Sequence, residues 1–309
     1  MPIYQSIEEL IGQTPLVRLA RLEEALGLPV RLLAKLERAN PAGSAKDRAA
    51  LYMIRAAEES GQLKAGGTII EPTIGNTGVA LASLAAVRGY KAVFTMPESM
   101  SIERRKLLAA YGAEIVLTPG SEGMAGAVRA AEALAEATPG GVVMHQFENP
   151  ANAQAHFETT GPELWRDTQG CLDAFVAGVG TGGTFTGAGR YLKQQSPAVH
   201  LVAVEPAKSP LLSGGAAGPH GIQGIGANFV PALLDTGLYD EVLPIADEAA
   251  FKMARLLAKR EGILTGVSSG AALAAAAELA RRPEYAGKTI VALLTDTGER
   301  YLSTALFEE

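Results

Sequence analysis

Four glycine- and hydroxyl-rich segments hold the side chains of this sequence that are able to do chemistry. Gly178-Val179-Gly180-Thr181-Gly182-Gly183-Thr184 lies between an apolar run and a helical pattern. Glycine lets a backbone approach a ligand closely, and the open N–H groups of a helix start, joined here by two threonine hydroxyls, make a cradle for a phosphate. Thr73-Ile74-Gly75-Asn76-Thr77-Gly78 has the same placement. Its N–H groups suit a small anion such as a carboxylate, and the Asn76 amide both donates and accepts. Gly266-Val267-Ser268-Ser269-Gly270 opens another helix, where Ser268 is able to cap the helix or to face a cofactor. In Asn40-Pro41-Ala42-Gly43-Ser44-Ala45-Lys46-Asp47-Arg48, Ser44 is a plausible N-cap for a helix over about 45–60, which puts Lys46 in the first turn. An ammonium there meets the positive end of the helix dipole. A lysine easily made neutral is what Schiff-base chemistry requires. Seen alone, each segment also has a plainer reading: a tight turn, a cap, an exposed lysine.

A rival chemistry fits some of the pattern. Gly178, Gly180 and Gly183 satisfy G-x-G-x-x-G, and Glu205 ends the next strand, roughly where an acid meets the ribose of a dinucleotide. An NAD-dependent dehydrogenase is therefore a competitor, although it leaves the other loops without a task. A pure binding module would give Lys46 no reason to stand at a helix start. No G-x-x-x-x-G-K-[ST] occurs, and His145, His156, His200 and His220 are isolated, without metal-ligand spacing. They are read as structural, with no metal expected. The single cysteine, Cys171, is read as a strand-edge or core thiol.

With 309 residues the chain is long enough for two domains or one large α/β unit. Apolar residues make up 48%, enough for a large core. A formal net charge of −6, with both signs interspersed, argues against a nucleic-acid surface. One cysteine excludes an internal disulfide and fits a reducing compartment. The first ten residues lack the basic stretch of a leader, and no apolar run approaches the ~18 residues that span a bilayer. A soluble, cytoplasmic protein with neither nucleic acid nor membrane as partner is expected.

The elements that must position these loops follow from apolar periodicity. Gly67–Glu71, Lys91–Pro97, Glu114–Thr118 and Val142–His145 read as strands, with helical patterns at Gly78–Arg88, Ser101–Tyr111 and Ala125–Glu136 between them. A second series has strands at Ala174–Gly178, Leu201–Glu205 and Thr289–Leu294, and helices at Gly183–Gln194, Glu248–Glu261 and Ser269–Arg281. Alternation of this kind implies an α/β protein of two doubly wound, mostly parallel-sheet lobes, with ligands outside the carboxyl ends of the strands, in an intervening crevice.

Together these residues resemble the cysteine synthases, the O-acetylserine sulfhydrylases of the tryptophan-synthase-β-like (fold type II) pyridoxal-phosphate enzymes. The likeness runs from Ile11-Gly12-Gln13-Thr14-Pro15-Leu16 to Asp296-Thr297-Gly298-Glu299-Arg300-Tyr301-Leu302. It is most specific at Asn40–Arg48, Gly180–Thr184 and Gly214–Pro231. It implies a smaller lobe over 48–151 and a larger one from 1–47 and 152–309. It implies that Lys46 holds pyridoxal 5'-phosphate covalently and acts as the base. Asn76 is expected at the 3′-oxygen of the ring, Gly180, Thr181, Gly182, Gly183 and Thr184 at the phosphate, and Ser268 at the pyridine nitrogen. Thr73, Gly75, Thr77 and Gln146 are expected to hold the substrate carboxylate, with the backbone N–H of Ile74. The family loop reads Thr-Ser-Gly-Asn-Thr, so Ile74 replaces a serine and removes one hydroxyl. The implied reaction converts O-acetyl-L-serine and sulfide into L-cysteine and acetate, in a homodimer that is a possible partner of serine acetyltransferase. Cystathionine β-synthase-like and O-phosphoserine sulfhydrylase activities stand as alternatives. Relatives that prefer O-phosphoserine place an arginine near the β-end of the substrate, whereas Ile222-Gln223-Gly224-Ile225-Gly226-Ala227 has no cation.

Overall fold

Short runs of Val, Ile, Leu, Phe and Ala form the strands, and the alanine-rich stretches between them form the helices. A computed structural model describes residues 3–73, 75–100 and 102–308. In chain order the strands are β1 (Leu16–Arg18), β2 (Arg31–Leu36), β3 (Thr68–Pro72), β4 (Lys91–Pro97), β5 (Glu114–Thr118), β6 (Gly141–Val143), β7 (Ala174–Gly178), β8 (His200–Pro206), β9 (Glu241–Ile245) and β10 (Thr289–Leu294). The α-helices are α1 (Ala20–Leu26), α2 (Lys46–Glu59), α3 (Asn76–Arg88), α4 (Ile102–Ala110), α5 (Gly123–Ala137), α6 (Pro150–Ala155), α7 (Gly161–Asp167), α8 (Gly183–Gln195), α9 (Asp247–Glu261) and α10 (Val267–Ala280). A π-helical stretch, His156–Thr160, joins α6 to α7.

Among the described residues, those up to Ile11 and Lys46–Asn152 form one unit, and Gly12–Ala45 with those from Ala153 onward form another. The first unit holds a parallel sheet in the order β5-β4-β3-β6. In β3 the side chains of Thr68, Ile69, Ile70 and Glu71 are all buried, so both faces of this strand are covered. Helix α5 packs on β3, β4, β5 and β6, α3 on β3 and β4, and α4 on β5.

The second unit holds a sheet in the order β1-β2-β10-β7-β8-β9, antiparallel only where β1 meets β2. Alternation along each strand divides its side chains between two cores. Ala174, Val176, Val202, Val204, Ile290 and Ala292 face the cluster built with α9 and α10. Phe175, Ala177, Leu201, Ala203, Val291 and Leu293 face the cluster holding Phe185, Ala188 and Leu192 of α8.

Among the strands expected from periodicity, β4, β5, β7 and β10 fall on the residues anticipated, and the others differ by a residue or two. Elements without a clean periodic signal emerge as well. β2 carries Lys35, which reads as a surface residue; it is fully buried, paired to Glu163 at 2.7 Å and bonded to the Thr14 carbonyl at 2.7 Å. β9 contains Pro244, tolerable because β9 is an edge strand. The stretch from α6 to α7 carries Gly161-Pro162 in its middle, which reads as a turn. Cys171 is exposed, so the core reading of that thiol gives way to a position in the turn before β7.

Helix α8 approaches the π-helical stretch so closely that a Cβ on Gly187 would lie 2.0 Å from the Ala153 carbonyl oxygen. Gly187→Ala gains about 1 kcal/mol of helix propensity. It also forces backbone apart, and such overpacking costs about 1–3 kcal/mol. The net expectation is a lower unfolding midpoint in urea; an unchanged or higher midpoint would contradict this packing.

Candidate active site

In the first unit, the loop after β3 turns into α3 on Gly75, with no side-chain cap and no acid in the first turn. A helix start of this kind suits an anion. Thr73 is buried, its Oγ1 accepts from the Gly75 N–H at 3.3 Å, and its methyl packs where a Cβ on Gly78 would stand. Asn76 opens the helix and Thr77 follows, buried, donating to Gln146 Oε1 at 2.6 Å. Ile74 lies outside the described residues. The loop thus brings Thr73, Gly75 and Thr77 together with Gln146, which is distant in sequence.

Gln146 is held from behind by a residue that sequence reading passed over. Glu71, one residue before the end of β3, accepts the His145 N–H at 3.0 Å and the Gln146 N–H at 3.2 Å. Burial pushes its carboxyl up to about 7, against the opposing effect of the Gln146, His145 and Met144 backbone N–H groups and the Gln146 side chain. Asn152 Nδ2 donates to the Gln146 carbonyl at 2.8 Å. A charged residue in an otherwise apolar strand was the available signal.

Lys46 is the first residue of α2 and the first of this unit after the chain leaves the other at Ala45. It is half-buried. Helix α2 begins there, one residue later than periodicity and capping suggested.

In the second unit, the loop after β7 enters α8 on Gly182, which has φ +84° and offers no side-chain cap. A Cβ on Gly182 would lie 2.8 Å from the Leu234 nitrogen, and one on Gly180 would lie 2.4 Å from the Gly224 carbonyl oxygen. Both sites therefore need glycine. Thr181 is buried and its Oγ1 accepts from the Gly183 N–H at 3.4 Å. Thr184 Oγ1 pairs with His156 Nε2 at 3.0 Å, and the other ring nitrogen of this fully buried histidine meets Thr160 Oγ1 at 2.8 Å. His156, isolated in sequence, is thus a neighbour of the Gly180–Thr184 loop.

Ser268 is the second residue of α10, whose N-cap is Gly266 without a side-chain bond, so Ser268 is not the cap. It is buried, with Gly224 alongside: a Cβ there would stand 3.6 Å from Ser268 Oγ. Ser269 accepts from the Thr295 N–H at 2.8 Å.

Glu205, which the dinucleotide reading needs at a ribose, is committed elsewhere. Its Oε2 accepts the Leu212 N–H at 2.7 Å, and its Oε1 accepts from the Ser213 N–H at 3.0 Å and hydroxyl at 2.6 Å. Gly178, the first glycine of that motif, makes room for Ile225, whose Cγ2 would lie 2.7 Å from a Cβ. Among the described residues no group of His, Cys, Asp or Glu is arranged to hold a metal ion.

The donor set of the Gly180–Thr184 loop matches a phosphate ester: uncapped N–H groups, two hydroxyls, and glycines whose Cβ atoms would fill the cradle. With a lysine at a helix start and a buried neutral hydroxyl at Ser268, the two parallel-sheet units carry the groups of a fold type II pyridoxal-phosphate enzyme. Comparison with known proteins agrees. The family described as "Pyridoxal-phosphate dependent enzyme" matches residues 7–296, and the chain belongs to it. Within it the chain groups with the cysteine synthases: the cysteine synthase of Staphylococcus aureus is 53% identical over 303 residues, 98% of this chain and 96% of that one. The structure of cysteine synthase from Entamoeba histolytica superposes with a TM-score of 0.96 at 45% identity, covering 99% of this chain and 91% of that one. An O-acetylserine-dependent cystathionine β-synthase from Helicobacter pylori superposes with a TM-score of 0.92 at 40% identity, with full coverage of both chains. The dehydrogenase reading is overturned.

Two expectations arise from this geometry. Gly180→Ala must displace the Gly224 carbonyl, and pyridoxal phosphate is expected to bind at least about tenfold more weakly, ~1.4 kcal/mol, in an absorbance titration of cofactor-free protein. The Glu71 carboxyl has a folded pKa of about 7 against an ordinary value of 4.5. Its contribution to stability is therefore fully present below about 4.5 and lost as pH rises through about 7. The amount is on the order of 3 kcal/mol. Glu71→Gln should flatten that stretch of the stability profile, read from urea midpoints at pH 5 and 7.5; an identical profile would show that the carboxyl titrates normally.

Proposed function

We propose that this chain makes L-cysteine from O-acetyl-L-serine and sulfide. The observation that carries the reading is that one unit holds the glycine-built loop at the start of α8 and the other holds the Thr73–Thr77 loop with Gln146, in a chain 53% identical to a cysteine synthase.

Pyridoxal phosphate, when bound, supplies an electron sink for the charge that develops at the substrate Cα. Gly180, Thr181, Gly182, Gly183 and Thr184 hold its phosphate by backbone N–H and hydroxyl donors, with His156 fixing the Thr184 hydroxyl. Lys46 is the covalent anchor, and its amine removes the Cα proton and returns it at the end of the cycle. Ser268 would face the pyridine nitrogen of the bound cofactor with a neutral hydroxyl, and Asn76 would meet the ring 3′-oxygen. Thr73, Gly75, Thr77 and Gln146 receive the substrate carboxylate at the start of α3, aided by the backbone of Ile74.

Acetate is the leaving group of this reading. The Ile222–Ala227 segment carries no cation, and His220 beside it is occupied with the Gly226 carbonyl at 2.9 Å. A phosphate dianion there would lack a charge-assisted partner worth about 1.5–3 kcal/mol. The protein acts as a homodimer in the cytoplasm, with serine acetyltransferase as a further partner; none of the described helices is long and apolar enough to cross a membrane. The lobes of this reading are 48–151 and 1–47 with 152–309, which differ from the compact units in placing the residues up to Ile11, Lys46–Asp47 and Asn152 with the larger lobe.

The purified protein is expected to be yellow, with borohydride reduction locating the cofactor on Lys46 by peptide mapping; label on another lysine would overturn that anchor. Lys46→Ala should fold and lose turnover. kcat/KM for O-acetylserine should exceed that for O-phosphoserine by about tenfold or more, following the missing charge partner; the reverse order would exclude acetate as the preferred leaving group.

A further inference from the structure

His145 adopts φ +53°, the left-handed region that a non-glycine residue rarely occupies. Such a backbone persists only where its surroundings hold it. Here the holder is visible. The N–H groups of His145 and Gln146 both end on the carboxylate of Glu71, one on each oxygen. The His145 side chain is exposed, so nothing but the main chain is gripped. Glu71 itself is 1% exposed, in the strand that delivers Thr73.

We propose that Glu71 is the positioning residue of the substrate-carboxylate site: it clamps the His145–Gln146 turn in its strained form and thereby presents the Gln146 amide. This rests on the reading of Gln146 as a ligand of that carboxylate. A primary amide has two N–H donors and one carbonyl oxygen. The Thr77 hydroxyl donates to the amide oxygen at 2.6 Å, which fixes the end of the amide that is the oxygen and turns the NH2 end the other way. Asn152 fixes the Gln146 carbonyl. Glu71 never needs to touch substrate; removing its charge or its reach would let the turn relax and the amide wander.

Glutamine at position 71 offers one acceptor and an NH2 where the carboxylate offers two acceptors, so one of the two N–H groups then faces a donor. The experiment uses the cofactor-loaded enzyme and compares Glu71→Gln, Glu71→Asp, Gln146→Ala and the Glu71→Gln/Gln146→Ala pair. KM and kcat are measured with O-acetylserine, and the dissociation constant with L-serine, which lacks the activated leaving group. Glu71→Gln is expected to raise KM and the serine dissociation constant together by about tenfold, the size of one hydrogen bond lost at a charged group. kcat should stay within about threefold. Amide exchange over residues 144–149 should quicken. The double variant should bind no more weakly than Gln146→Ala alone, since Glu71 acts through Gln146. Adding His145→Gly to Glu71→Gln should recover some of the binding, because glycine takes φ +53° without a clamp. If Glu71→Gln does not fold, Glu71→Asp, whose shorter arm cannot reach both N–H groups, carries the same expectation. Unchanged binding in the Glu71 variants while Gln146→Ala weakens it would overturn the clamp alone. Multiplying effects in the double variant would do the same. Unchanged binding in Gln146→Ala would overturn the carboxylate reading and the clamp with it.

Discussion

The first N–H groups of an α-helix have no partner inside the helix, and a parallel strand that ends in a tight turn presents them at the rim of the sheet. Helices α3 and α8 start on Gly75 and Gly182, with neither a capping side chain nor an acid in the first turn. Elsewhere the chain does supply partners. Ser6 and Thr297 cap short 3-10 turns with their hydroxyls, and α9 carries Asp247 and Glu248 in its first turn. Helices α5 and α10 likewise begin with neither a capping side chain nor an acid in the first turn, so what sets α3 and α8 apart is the glycine- and threonine-rich loop that leads into each. On the proposed reading they receive two anions of different size: a phosphate ester on α8, where threonine hydroxyls add to the N–H groups, and a carboxylate on α3, where the Gln146 amide does.

Leaving a helix start open requires that the surrounding chain approach without side chains intruding, and this dictates the glycines more than conformational freedom does. Gly178 and Gly180 are strand and loop residues without the left-handed φ of Gly182, yet a Cβ on either would run into the 224–225 backbone or the Ile225 side chain. Because the 222–226 segment lies against them, Gly224 reaches the buried Ser268 hydroxyl. Farther along α8, Gly187 has the same role. It admits the π-helical stretch that brings His156 within hydrogen-bond distance of Thr184. Extra residues in a helix of this kind often mark functional sites, and here the consequence is local and visible: a buried imidazole with one ring nitrogen on the Gly180–Thr184 loop.

Much of this was legible in the sequence, because glycine, threonine and serine beside apolar runs have few explanations. The loops at Thr73–Thr77, Gly180–Thr184 and Ser268 stand at strand ends and helix starts as their spacing suggested, and Lys46 opens a helix. The supporting residues were not legible. His156 gives no sign in one dimension that Thr184, 28 positions away, will meet it. Lys35 looks like a surface residue until Glu163 is folded onto it. Ser44 reads as a cap, whereas its structural mark is a bridge to Asp296 near the far end of the chain. In each case the missing information was a long-range partner, which periodicity does not encode.

Glu71 and Glu205 show how one local solution serves both units. Each is the penultimate residue of a parallel strand and each is followed by proline, so the strand ends in Glu-Pro. Each carboxylate is buried and accepts the N–H groups of two successive residues, His145 and Gln146 for one, Leu212 and Ser213 for the other. A loop folded back over the carboxyl end of a sheet must satisfy its backbone donors without a neighbouring strand. A two-oxygen acceptor at the last inward-facing position does so for two donors at once. That explains why an acid is buried there without a paired cation: its charge is met by hydrogen bonds. For Glu71 those bonds are outweighed by burial, and the carboxyl sits near 7. A neutral residue of the same shape would avoid the desolvation cost yet could not accept twice. The acid persists in β3 because geometry at the turn demands two acceptors, and the turn is the one that carries Gln146.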